Sequence, residues 1–349
     1  MFHHEDYEEG DYDSIPCKDH PEGLEEVIFT PKAKCFSDEK SMLQFFVRFL
    51  RIQDPDIITG WNVVNADIQQ IFKRMQVCGL YPQSLSPLRS INYNFRDWSQ
   101  PIAGINVIDM MVAFKQIWTL KNGQLAGGLS LDSVAWECLK DRKVPLKNGH
   151  DTYYTDIGTY LDYAKKDAEL PMQLDELVGV LDYFTAIQHI VQCDIASTPH
   201  VTKLFTILSL RDKDFKERMP SKPQFEKEDY TGADIMLPVA GVYDKIGIYD
   251  VKQMYHSNIK KHNICWTTLS ENGIDCGNGI KFDNGKKGLL CRQMDYVTEL
   301  RDEYKKKMKN AKDERERRRF DALQYATKSL VASMYGVAGD SKCGLYHPD

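Results

Sequence analysis

Three aspartates stand where a carboxylate could meet a divalent cation. Asp67 follows a Gly-Trp-Asn turn at the end of an apolar run, and Asp250 closes the apolar run IGIYD. Asp167 lies four residues after Tyr163 in a helical pattern, so the two share a face. Hard cations take oxygen ligands, and a carboxylate at the end of a buried strand is well placed to supply one. Each aspartate taken singly also reads as a helix cap or a turn residue. A different chemistry is suggested by QYATKSLVASMYGVAG, residues 324–339. At helical spacing Lys328, Val331, Ala332 and Tyr335 fall along one face. A charged head on such a stripe either snorkels to solvent or aims its charge at an anion.

The elements that must position these residues follow from the patterning. With 349 residues and 42 % hydrophobic composition, the chain is long enough for two or three domains. The net charge of -6 excludes global steering to nucleic acid, so any such contact must come from a local patch. Residues 301–328 provide one, with eleven Lys/Arg against six Asp/Glu, although a solvated helical face accounts for the run DERERRRF equally well. Nine cysteines without a CxxC pair read as reduced, intracellular usage rather than a disulfide framework or zinc site. No run of 18 apolar residues is present, so a soluble protein without membrane contact is expected.

The first half alternates strand and helix patterns. A strand is expected at EEVIFTP (25–31), a helix at 39–52, a short buried strand at DPDIITGWN (54–62) and a helix over 66–79 closed by Gly79. INVIDMMVAFKQI (105–117) starts as a strand and becomes a helix. LSLDSVAWECL (129–139) is a helix with Ser130 as its cap, and 155–181 is a long helical region that Pro171 could interrupt. A Pro/Lys/Glu-rich linker follows at 218–234. Residues 235–255 read as strands, 262–287 as an exposed Gly/Asn-rich excursion, and Leu289 to Tyr335 as a helical hairpin broken near Asn310 to Glu314.

The order of the motifs resembles the B-family DNA polymerases, in the manner of phage and viral members. DPDIITGWNVVNAD is similar to the second exonuclease motif, whose metal-site aspartate is here Asp67; YAKKDAEL resembles the third, giving Tyr163 and Asp167. YTGA (230–233) resembles the linker motif that contacts DNA, pointing to Tyr230 and Gly232. DVKQMYHSNI (250–259) is similar to polymerase motif A, with Asp250 as metal ligand and Tyr255 beneath the nucleotide sugar. LRDEYKKKM (300–308) resembles the first fingers helix, and KSLVASMYG (328–336) motif B. By this resemblance Arg301, Lys305 and Lys328 face the incoming triphosphate, and Tyr335 and Gly336 lie at the templating pair. Phosphoryl transfer requires little covalent chemistry and much charge neutralisation, which such cations supply.

The resemblance implies an RNase H-like 3′–5′ exonuclease domain of mixed α/β type (1–190), a connecting segment (191–234), a partial palm (235–287), a helical-hairpin fingers domain (288–336) and a return to the palm (337–349). It implies magnesium in two-metal sites held by Asp67 and Asp167 and by Asp250. It also implies primer-template DNA and dNTPs as substrates, a sliding clamp as partner, and a cytoplasmic location, in a host cell if phage-encoded. The sequence departs from the family pattern at His256, where proline is usual, at Ala332, where asparagine is usual, and at Ala66, where phenylalanine is usual. An Asp-x-Glu first exonuclease motif and the Asp-Thr-Asp hairpin are not found. Each metal site therefore has only part of its ligands, and the chain alone is expected to be inactive or nearly so. A split-polymerase subunit completed by a second polypeptide and a non-catalytic DNA-binding remnant remain as alternative readings, with a stand-alone nuclease behind them.

Overall fold

The apolar runs IITG and NVID pair as short parallel strands. Parallel strands need a crossover, usually through a helix, because no hairpin can join them. The computed structural model describes residues 36, 38–96, 98–216, 218, 236–251, 254–276 and 279–343. It divides into two compact units, the first ending at Val180 and the second starting at Leu181.

In the first unit the elements run α1 (Glu39–Gln53), β1 (Ile57–Gly60), α2 (Asp67–Val77), β2 (Asn106–Asp109), α3 (Met110–Asn122), α4 (Leu131–Leu139), α5 (Thr152–Thr155) and α6 (Ile157–Val178). Local chemistry sets the helix ends. Asp38 accepts from the Ser41 N–H to cap α1, Ser130 does the same for α4 through Ser133, and Asp156 caps α6 through Thr159. Gly79 stops the chain after α2 at φ 69 and Gly179 stops α6 at φ 70, a left-handed conformation that glycine adopts without a Cβ clash. Leu43, Val47 and Leu50 of α1 and Ile68, Phe72 and Met75 of α2 are buried at helical spacing. With Val64 and Val107 they belong to one apolar core. Arg74 of α2 meets Glu39 of α1 with two parallel contacts, which fixes the helix pair. β1 and β2 pair in register from Ile57 with Asn106 to Gly60 with Asp109.

Pro171 does not interrupt α6, contrary to the expectation from sequence. Leu170 and Leu174 beside it are fully buried, and that burial outweighs the loss of one helical hydrogen bond. The lost bond is the one that would reach the carbonyl of Asp167, four residues earlier.

The second unit contains α7 (Val180–Val191), α8 (Val201–Arg211), α9 (Met254–His262), β3 (Leu269–Asp275), β4 (Lys281–Phe282), α10 (Leu289–Lys309) and α11 (Glu314–Ala338). The helical hairpin appears as expected, turning at 310–313, with Asp313 capping α11 through the Glu316 N–H. Two expectations fail here. Residues 236–251 form no strand: Met236, Leu237, Val239, Val242, Ile248 and Tyr249 are exposed, and a strand without a ladder partner has nothing to hold it. The 262–287 stretch is not a bare excursion, because β3 and β4 form an antiparallel hairpin there. Buried Asn263 organises its base by donating to the Asp283 and Lys286 carbonyls and accepting from the Gly288 N–H. Gly273 is demanded by close approach, since a Cβ there would lie 2.5 Å from the Phe282 backbone. The stretch expected as a connecting segment also holds α8, which packs on α10 and α11. The expected strand at 25–31 and Tyr230 and Gly232 lie outside the described residues.

Candidate active site

In the first unit the fold brings together three of the residues singled out from the sequence. Asp67 opens α2 directly after the turn that follows β1. Tyr163 and Asp167 project from one face of α6, which packs on α3 and α4. Asp67 is close enough to Asp167 to feel its charge. Although the Asp67 side chain reaches solvent, partial burial raises its pKa above the ordinary carboxylate value; its own N–H opposes this and the Asp167 charge adds to it.

The sequence reading missed Lys143. Its ammonium lies 2.5 Å from Asp167 and 5.5 Å from the centre of the Tyr163 ring. Burial alone would lower its pKa, but bonding to Asp167 and the charges of Asp167 and Tyr163 more than offset that and raise it. Lys143 thus pairs with Asp167, while the raised Asp67 pKa comes first from burial, with a smaller part from the Asp167 charge. Carboxylate oxygens are the donors that suit a divalent cation, and this pair offers two carboxylates, one of them engaged by Lys143. Among the described residues no group of three or more potential ligands gathers, here or elsewhere.

Asp109 was missed as well. It is buried at 3 % exposure, caps α3 through the Met111 N–H, and accepts from the N–H groups of Asn62 and Val64. Asn62 stands at φ 60, in the left-handed region, so the turn leading to Asp67 is a constrained conformation held by one carboxylate. Burial raises the Asp109 pKa and these N–H groups pull it back.

The raised Asp67 pKa has a consequence for stability. The folded state binds the proton more tightly than the unfolded chain, so stability falls as pH rises through the folded pKa. Asp67→Asn is expected to raise the melting temperature at neutral pH, and the gain should vanish below pH of about 4. Thermal unfolding of both proteins across that range checks it; an Asn variant less stable at neutral pH contradicts it.

In the second unit Tyr255 of α9 and Tyr335 of α11 stack with ring centres 4.4 Å apart and planes 27° from parallel. Both are about half exposed, so the pair presents an open aromatic platform. His256 holds α9 to α11 through Nε2, 3.2 Å from the Val331 carbonyl. Burial lowers the His256 pKa, that carbonyl works against the shift, and Lys260 and Arg301 add to it, which places Arg301 of α10 beside this junction. The Arg301 Nε is buried without a hydrogen-bond partner. Lys305 lies one turn further along α10, and Lys328 is exposed on α11 with its ammonium 5.7 Å from the Tyr325 ring. Asp250 is exposed at the end of the irregular stretch, apart from any multi-carboxylate group among the described residues. Ala332 is exposed on α11. Around Gly336 an added Cβ would meet nothing within 4 Å, so packing within the chain does not require glycine there.

Comparison with known proteins adds the following. The family model for DNA polymerase family B matches residues 197–348, and that for the DNA polymerase family B exonuclease domain matches residues 2–127. The segment with Lys143, Tyr163 and Asp167 lies between the two matches. The DNA polymerase delta catalytic subunit of Caenorhabditis elegans is 26 % identical over 331 residues, covering 86 % of this chain and 31 % of that protein. The Bos taurus protein of the same name is 25 % identical over 346 residues, covering 89 % and 31 %. The DNA polymerase catalytic subunit of Alcelaphine herpesvirus 1 is 26 % identical over 362 residues, covering 91 % and 34 %. In fold, the chain resembles the family B DNA polymerase of the hyperthermophilic archaeon Pyrobaculum calidifontis, with a TM-score of 0.66 and 20 % identity over 90 % of this chain and 43 % of that one. The chain therefore spans about a third of the length of the curated relatives it matches. No described helix is long and apolar enough to cross a membrane.

Proposed function

The chain belongs to the family B DNA polymerases, and we infer from this that it serves template-directed DNA synthesis from dNTPs together with 3′–5′ trimming of the growing strand. The observation that carries the trimming half is the meeting of Asp67, Asp167, Lys143 and Tyr163. Asp67 and Asp167 would hold the divalent cation, magnesium in the cell. Such an ion, when bound, supplies a Lewis acid for the scissile phosphate and acidifies the attacking water. The chain's own residues orient that chemistry. Lys143 steadies the Asp167 carboxylate and adds a positive charge where a phosphate must come to rest. The Tyr163 phenol, on the same helix face as Asp167, is placed to position the water. The turn held by Asp109 fixes where Asp67 points.

In the synthetic half, Arg301, Lys305 and Lys328 would face the triphosphate, with arginine offering a fork to phosphate oxygens and lysine a compact charge. The Tyr255–Tyr335 platform would lie beneath the nucleotide and leave no room for a 2′-hydroxyl. Asp250 does not fit a metal site as it stands, being exposed and without a second carboxylate among the described residues. This supports the reading that the chain by itself is inactive or nearly so in DNA synthesis. Tyr230 and Gly232, with Gly336, would contact the primer-template.

Gly336 yields a separable prediction. Gly336→Ala is expected to leave stability unchanged or raise it by up to about 1 kcal/mol, because alanine favours the helix, while weakening primer-template binding severalfold. Equal binding by both proteins would remove Gly336 from the DNA contact.

The test of the functional reading uses a complete enzyme carrying this segment and a primer with a mismatched 3′ end. Asp67→Ala and Asp167→Ala should each abolish removal of the mismatch and leave extension of a matched primer intact, and Lys328→Ala should do the reverse by raising the dNTP KM. Trimming that survives both carboxylate substitutions would sink the assignment.

A further inference from the structure

Two neighbouring residues of α9 meet α11 at two points one helical turn apart. The Tyr255 ring lies on the Tyr335 ring, centre to centre 4.4 Å. His256 Nε2 lies 3.2 Å from the Val331 carbonyl oxygen. In an α-helix that carbonyl is also the one that accepts from the N–H four residues on, which is Tyr335. The histidine therefore grips α11 at the turn that carries one ring, and its chain neighbour supplies the other. A carbonyl can only accept, so Nε2 carries the proton and the imidazole is the donor. The neutral ring suffices for this bond, and burial together with the Lys260 and Arg301 charges disfavours a second proton on it.

The rest of α9 shows why this bond matters. Its C-terminal half is fastened to α10: Ile259 is buried, its carbonyl accepts from the Cys291 thiol at 3.5 Å, and Lys260 pairs with Asp295. Its N-terminal half follows Ile248, Tyr249 and Val251, which are exposed and offer it no packing. Two rings that both stand half open to solvent can slide over one another, whereas a hydrogen bond fixes distance and direction. Position 256 is also one at which this sequence departs from the family pattern. The usual proline has no side-chain donor and could not make the bond.

We propose that His256 is a positioning residue for sugar selection: its bond to α11 holds the Tyr255 ring at one height and angle on Tyr335, so that rejection of a 2′-hydroxyl depends on a residue that does not itself touch the nucleotide. The proposal rests on the reading above that this ring pair lies beneath the nucleotide.

The test has two arms. The first uses the full chain without nucleotide and follows proton contacts between the two rings by NMR, with ring-labelled tyrosine. His256→Gln, whose amide nitrogen can reach the place of Nε2, should keep those contacts, and His256→Ala should lose most of their intensity. The second uses a complete enzyme carrying this segment and compares kcat/KM for a dNTP with that for the matching ribonucleotide. His256→Ala should reduce the preference for the dNTP by about 2- to 10-fold, the range that one hydrogen bond of ordinary net strength supports, and His256→Gln should restore most of it. A histidine that served packing alone would lower both kcat/KM values together and leave their ratio unchanged. Thermal unfolding confirms that each variant is folded, and His256→Leu, which fills the space without a donor, replaces alanine if alanine does not fold. An unchanged ratio in the variant without a donor, or ring contacts as strong as in the parent, overturns the proposal. Tyr255→Ala separates the two kinds of failure. If it abolishes the preference while His256→Ala leaves it intact, the proposal falls alone; if neither changes it, the sugar reading falls and takes the proposal with it.

Discussion

Asp109→Ala should lower the unfolding free energy of the first unit by about 3–5 kcal/mol, the largest single-residue effect expected in this chain. The carboxylate accepts from Asn62, Val64 and Met111 at 3.0, 3.1 and 3.1 Å and is almost wholly buried. Removing it leaves those donors without their acceptor, the Val64 N–H in a buried place and the Asn62 and Met111 N–H groups in part-buried ones, and each buried donor so orphaned costs about 1–3 kcal/mol. It also strips the cap from α3, a loss of about 1 kcal/mol. Domains of this kind have only about 5–15 kcal/mol in total, so the variant approaches the margin. A drop in melting temperature of about 10 °C is expected at about 2–4 °C per kcal/mol. Asp109→Asn, which keeps one acceptor oxygen, should fall between. Because burial raises the Asp109 pKa, the stabilisation of the native protein on this account is greatest in acid and declines as pH rises through the folded pKa. Calorimetry of the three proteins decides the matter; an alanine variant within about 1 kcal/mol of the parent would mean that the turn before Asp67 is held by something else.

The second large effect concerns Lys143→Met, which keeps the bulk of the side chain and removes its charge. Lys143 and Asp167 are each about a third exposed, so solvent screens the pair and the expected loss is about 1–2 kcal/mol at neutral pH rather than the larger value of a fully buried pair. The raised Lys143 pKa means that its contribution, present at neutral pH while Asp167 is ionised, is lost on the basic side only in strong alkali. The more telling consequence is electrostatic. With the ammonium gone, the Asp167 carboxylate loses the cation that pairs with it. Millimolar magnesium should then stabilise the variant more than the parent, because the ion no longer competes with a resident lysine. Loss of stability that magnesium does not mend would show Lys143 to be a packing residue only.

Much of this was legible because the governing interactions are local. Ser130 and Gly79 mark helix ends within one turn of themselves, and α4 begins and α2 stops where those residues stand. The pairing of Tyr163 with Asp167 follows from helical spacing alone, and the break at Asn310 from the change of pattern across it. What escaped depends on partners distant in sequence. Lys143 meets a residue 24 positions later, and nothing in DRKVPLK distinguishes it from its exposed neighbours. Asp109 lies in an apolar run where a carboxylate reads as the strand's end, yet its work is done 45 residues earlier at Val64. Residues 236–251 read as strands but form none, since a ladder is a property of two segments. Pro171 erred the other way: a local rule predicted a break that buried leucines on either side of it override. The resemblance placed Tyr255 beneath the nucleotide sugar and Tyr335 at the templating pair; their stacking on each other joins residues 80 positions apart and was not foreseen.

The central claim is that Asp67 and Asp167 together hold a divalent ion. Manganese, added in increments to the chain with carboxyl-labelled aspartate, tests it most directly through paramagnetic broadening. The account predicts that the Asp67 and Asp167 resonances broaden first and together, and that Asp67→Asn abolishes the effect at both positions. Broadening centred on Asp250, or none at either residue at millimolar manganese, would contradict it.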